Sequence, residues 1–393
     1  MPAPAIALIT TVVGLIEWRS LPHVDRKSAL KTAAAVVGFG SPTLGTSTIG
    51  VPTLVTATAA DVPQGGPETA RTAGAIDSWA AIPVWPAWPT PTSPTGGRVR
   101  PITPDPTLAD PFLLLAHHRH SFSPNDPLRG PFRAVGGALG LPYVGEEGFK
   151  LHPHRGLDIW TIVLDGSDGF RHRDSLGGDC VYRGGSCQFM RSGRGVMHEE
   201  MWETRSDRST SIELFQLWVN LPSRLKMSPP AIRYLGDAWR TPFSEDLYID
   251  PRSGVATRVR TLDGPTLERA VEGEGEVLSP RPAVKIRHAT IGPGGSWVAS
   301  AESGHTALAY IRSGAVHVNG QVLGEVQAGS TCTFNADGDA TWLVNPDRAK
   351  PADVLLLTGA PLNEPVALGG PIVMNTEREL QQAYAELRAG TFL

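Results

Sequence analysis

The chain has 393 residues, 41% hydrophobic and 19% charged, with a formal net charge of -4. That length accommodates two or three globular domains, and the slight acidity leaves no basic footprint for direct nucleic-acid binding. Three cysteines, Cys180, Cys187 and Cys332, are too few for a disulfide framework, and no apolar run reaches the ~18 residues that a membrane-spanning helix needs.

Residues 1–97 are rich in Ala, Thr, Pro and Gly, and their first sixty carry only Glu17 and Asp25 as acids. This is not a core-forming pattern. It reads as a disordered or organelle-targeting extension, closed by a Pro-rich linker from Ile82 to Pro91. The compartment stays open, with cytoplasm, nucleus and organelle all compatible.

From Arg98 the texture changes to short β-rich runs. Ile159–Leu164 is a strand candidate, followed by turn signals at Gly177–Asp179, Gly184–Ser186 and Ser192–Gly195. This spacing predicts a jelly-roll β-barrel over residues 98–230. Residues 231–282, with Glu272, Glu274 and Glu276 among glycines, read as a solvated connector. Strand patterning resumes at Val284 and predicts a second barrel over residues 283–393. Thr376 followed by Glu379 is a capping-box signal for a closing helix from Glu377 to Arg388, with Gly390 as its stop. The expected fold class is therefore all-β: two barrels, a short C-terminal helix and a disordered N-terminal extension.

The chemistry is concentrated in the first barrel, which holds seven of the eleven histidines between His117 and His198. Alternate residues of a strand share a face, so His152 and His154 project together, about 6.6 Å apart at Cα, as do His198 and Glu200. Two such pairs on facing strands would make a metal cage, with two octahedral positions left for water, substrate or dioxygen. Glu200 could also act as general base toward a substrate hydroxyl. Asp158 competes as a carboxylate but lies about 13 Å along a straight strand from His154. Glu199 points to the opposite face, toward solvent or behind the site. His117, His118 and His120 either border the pocket or occupy a solvated loop. His288, His305 and His317 lack a paired spacing and read as structural. No phosphate-binding glycine fingerprint or nucleophile elbow is present.

These motifs resemble the pirin family of bicupins. Asp110–Leu115, His152–Gly156, Ser192–Met201, Leu217–Leu221 and Lys226–Met227 look like its N-terminal signatures, and Pro361–Pro365 and Gly370–Thr376 like its C-terminal ones. The resemblance implies two cupin barrels face to face and Fe(II) on His152, His154, His198 and Glu200, other divalent transition metals being compatible. It further implies quercetin 2,3-dioxygenase chemistry on a small aromatic or enolic substrate with dioxygen, or else an iron-dependent regulator of transcription acting through protein partners. The chain departs from the family pattern at Ala116–His120, at Leu157–Ile159 and in an insertion-like stretch from Pro124 to Gly148.

Overall fold

The computed structural model describes residues 70–84, 96–124, 148–235, 244–263, 284–318 and 325–393. Most of the expected N-terminal extension, the inside of the Pro124–Gly148 stretch (residues 125–147) and the acidic part of the connector lie outside the described residues. The first twelve strands are β1 (Ala73–Ser78), β2 (Ile82–Val84), β3 (Gly96–Ile102), β4 (Phe112–Phe122), β5 (Gly148–His154), β6 (Leu157–Val163), β7 (Phe170–Asp174), β8 (Asp179–Tyr182), β9 (Cys187–Arg191), β10 (Val196–Trp202), β11 (Thr210–Asn220) and β12 (Ala231–Leu235). They are followed by β13 (Ser244–Ile249), β14 (Ala256–Asp263), β15 (Val284–Ile291), β16 (Ser296–Ser300), β17 (Thr306–Ser313), β18 (Ala315–Val318), β19 (Val326–Gln327), β20 (Ser330–Phe334), β21 (Ala340–Val344), β22 (Ala352–Gly359), β23 (Ala367–Gly369) and β24 (Ile372–Met374).

Each lobe pairs a seven-stranded sheet with a four-stranded one. The first lobe combines the order β12-β9-β6-β11-β4-β3-β2 with β5-β10-β7-β8, and the second combines β1-β20-β17-β22-β15-β14-β13 with β16-β21-β18-β19. The two large sheets face one another. Trp160, Phe189, Phe215 and Leu217 of the first lobe share one buried cluster with Leu262, Ile286, Tyr310 and Leu355 of the second. A strand in such a sheet is covered on both faces, which is why β6 is buried at every residue, its polar Asp158 and Thr161 included. Strand β10 has one face inside the barrel and alternates: Val196, His198, Glu200 and Trp202 are buried, whereas Met197, Glu199 and Met201 are half-buried.

Two expected boundaries are corrected. Within the stretch assigned to the extension, β1 adds to the edge of the second lobe beside β20 and β2 pairs with β3 of the first. Extended Ala- and Pro-rich chain is acceptable as an edge strand, where half the backbone groups need no ladder partner. The connector is likewise structured at its described ends, because β12 completes the first large sheet and β13 and β14 the second. The closing helix spans Glu377–Ala389, with the Thr376–Glu379 capping box formed and Gly390 left-handed at φ 75°, as the sequence predicts.

Candidate metal centre

Strands β5 and β10 are antiparallel neighbours that set His198 opposite His152 and Val196 opposite His154. The register then slips, so that Glu200 faces Phe149. Two residues, Lys150 and Leu151, therefore bulge out of β5 where β10 has one. Such a bulge re-aims side chains, and here it also turns the Lys150 carbonyl back onto His152. The rings of His152, His154 and His198 lie 4.3–5.0 Å apart, centroid to centroid, with one ligand nitrogen from each within 4.8 Å of the others. All three are buried, and Trp218 of β11 stands edge-on to His154 at 5.3 Å.

Each ring has its Nδ1 occupied. Nδ1 of His152 donates to the Lys150 carbonyl at 2.7 Å, and that of His154 to the Pro371 carbonyl at 3.1 Å. Nδ1 of His198 meets Nδ1 of His172 at 3.3 Å. This leaves three Nε2 atoms for a shared ligand, and Nε2 of His198 is buried without a hydrogen-bond partner. Burial, reinforced by neighbouring imidazoles, lowers the pKa of all three, to about 4 for His152 and well below the ordinary value for His154 and His198. Neutral imidazoles with inward lone pairs are what a divalent ion requires.

Glu200 shares the inner face of β10, but its carboxylate is not part of that close group of three. Oε2 accepts from Nε2 of Gln216 at 2.9 Å and Oε1 has no partner. Burial raises its pKa to about 7, against the opposing pull of Gln216 and of the neighbouring Thr161 hydroxyl. Three of the four expected ligands are thus gathered, and the fourth is held beside them by β11. The donor set fits a divalent transition ion, since a lone pair at His198 and a carboxylate oxygen at Glu200 both lack partners inside the barrel.

The other expected residues separate. Asp158 forms a buried two-point ion pair with Arg191, both contacts 3.0 Å, and Glu199 pairs with Arg173 on the outer face. The solvated-loop reading of His117, His118 and His120 is overturned, because all three are buried in β4. His118 and His120 face the barrel interior, packed with Phe149 and Trp202. His117 faces the other lobe, bound to Glu213 and the Tyr310 hydroxyl. His288 contacts Asp353 at 2.8 Å and His305 lies 3.5 Å from Glu302.

Three contributors escaped the sequence reading: Gln216, the Pro371 carbonyl and the pair His172 and Asp174. The last carried a signal, a His-x-Asp spacing on a short strand of the histidine-rich lobe. The Pro371 carbonyl carried none, because it comes from the far end of the chain. There the β23–β24 hairpin crosses onto the first lobe, Val373 N–H donating to the Arg155 carbonyl at 2.9 Å. Arg155 in turn reaches Glu386 and the Phe392 carbonyl.

Comparison with known proteins bears on the family and the fold. The family model described as Pirin matches residues 98–219, and that described as Pirin C-terminal cupin domain matches residues 286–393. The chain belongs to the pirin family. A Caulobacter vibrioides relative named "Pirin-like protein" is 31% identical over 292 residues, 74% of this chain and 90% of the relative. A Pseudomonas aeruginosa relative named "Putative quercetin 2,3-dioxygenase PA3240" is 29% identical over 288 residues, 73% of this chain and 88% of that one. Among solved structures, a quercetin 2,3-dioxygenase from Acinetobacter baumannii superposes with a TM-score of 0.60 at 24% identity, covering 82% of this chain and 98% of its own. At that identity the match establishes the cupin fold alone.

Proposed function

We propose that this chain is a metal-dependent dioxygenase acting on a flavonol or a related enol or phenol, with Fe(II) held by His152, His154, His198 and Glu200. The observation that carries the reading is the gathering of three buried imidazoles, with the buried Glu200 carboxyl on the same inner face of β10 as His198. When bound there, a redox-active divalent ion supplies Lewis acidity and electron exchange between an enolate and dioxygen. Glu200 offers Oε1, the oxygen that makes no close hydrogen bond, either to the ion or to the hydroxyl proton of the substrate, and so shuttles between ligand and general base. Gln216 holds the other oxygen and so fixes the direction of the transfer. Phe149 and Trp218 pack against His152 and His154, and Trp202 against Phe149, which makes the surroundings of the histidines aromatic.

The test is oxygen uptake by the iron-loaded protein with quercetin, with carbon monoxide as the released product. Glu200→Gln is expected to lower turnover more than it lowers metal content, and equal turnover in that variant would refute the base assignment. An iron-loaded chain that consumes no oxygen across a panel of phenols would instead favour a non-catalytic, redox-sensitive regulator acting through protein partners.

A further inference from the structure

We propose that His172 and Asp174 are positioning residues of the metal centre: the Asp174 carboxylate, acting through His172, dictates which nitrogen of His198 carries the proton and keeps its Nε2 lone pair facing the ion. This deepens the metal-centre reading above and rests on it.

Strand β7 lies on the other side of β10, with His172 opposite Glu200 and Asp174 opposite His198. Both side chains are nearly inaccessible, at 1% and 2% exposure. The turn after β7 occupies one carboxylate oxygen, the N–H groups of Leu176 and Gly178 donating to Oδ1 of Asp174 at 2.7 and 3.2 Å. Oδ2 is left for Nε2 of His172 at 2.9 Å, and Nδ1 of His172 meets Nδ1 of His198.

The proton positions then follow one from another. An ionised carboxylate only accepts, so Nε2 of His172 must carry a proton. A neutral imidazole has one proton, so Nδ1 of His172 accepts. Nδ1 of His198 must therefore donate, and its Nε2 is bare. The reverse assignment would set two acceptors face to face at Asp174. His152 and His154 reach the same tautomer more simply, since each donates Nδ1–H to a carbonyl, which cannot donate. His198 is thus the one ligand of the three whose tautomer depends on a charge two groups away, and a carboxylate behind an imidazole also raises its basicity as a ligand.

Asp174→Asn tests this. The amide keeps Oδ1 for the turn but replaces Oδ2 with a donor, which inverts the chain and moves the His198 proton onto Nε2, where the ion would sit. In full-length protein freed of metal by chelation, long-range proton–nitrogen spectra of labelled histidines should show a bare Nε2 at His198 in the wild type and a bare Nδ1 in the variant. Competition of Co(II) against a chelating indicator should show affinity reduced roughly 10–100-fold. An unchanged His198 tautomer, or unchanged Co(II) affinity, would overturn the proposal. The wild-type spectrum alone can do so if His172 proves protonated at Nδ1, even where the variant fails to fold. A wild type that takes up no Co(II) would overturn the metal-centre reading instead, while the spectra still decide the relay.

Discussion

Replacing Glu200 by Gln should stabilise the metal-free fold, by an amount set by pH. The carboxyl is 3% exposed, and burial lifts its pKa from 4.5 to about 7. A raised folded value means that the native chain holds the proton more tightly than the unfolded one. The stability due to protonated Glu200 is complete below about pH 4.5 and is lost as pH rises through about 7. At about 1.4 kcal/mol per pH unit between the two values, ionised Glu200 costs the metal-free protein about 3 kcal/mol at pH 8 and under about 1 kcal/mol at pH 5. The Gln amide oxygen can still accept from Gln216, so the substitution removes the charge and spares the contact. Urea unfolding of wild type and Glu200→Gln, both held metal-free with a chelator, measures the gap at the two pH values. The variant should be the more stable at pH 8, with the gap mostly closed at pH 5. A gap of the same size at both would refute the reasoning, because a packing or hydrogen-bond effect has no reason to titrate.

Gly156 has φ +80°, and a Cβ there would lie 1.9 Å from the Val373 carbonyl oxygen. Gly156→Ala should therefore cost about 1–3 kcal/mol in backbone strain and also weaken Co(II) binding, by pushing the C-terminal hairpin and its Pro371 carbonyl away from His154; an unchanged melting temperature and affinity would contradict this. Glu213 lies between the lobes, where burial pushes its pKa up but hydrogen bonds from His117 and Arg312 outweigh it and hold it at about 2. Its contribution is present above about pH 4.5 and is lost as pH falls toward 2, so the stability advantage of wild type over Glu213→Gln, about 3 kcal/mol at neutral pH, should shrink in urea unfolding between pH 5 and 3. A pH-independent advantage would count against it.

Much of the site was legible because strand parity is a local rule. His152 with His154, and His198 with Glu200, share faces wherever their strands go, and the capping box at Thr376 needs only its own turn. Burial patterns were readable for the same reason, except where a strand is covered twice, as β6 is. The edge strands β1, β2 and β13, and β14 beside β13, were not legible, since a strand with weak alternation of its own is recruited by whichever sheet offers an unpaired edge.

By itself, then, the sequence determined which side chains could act together: four ligand-type residues in two alternating pairs, on strands of one lobe. Only the tertiary structure decided their state. The β5 bulge, the Pro371 carbonyl arriving from 217 residues away along the chain and the carboxylate behind His172 assign the protons on three imidazoles, and burial shifts Glu200 toward neutrality. Proton placement and desolvation depend on what surrounds a group in space, and no local pattern along a chain encodes that.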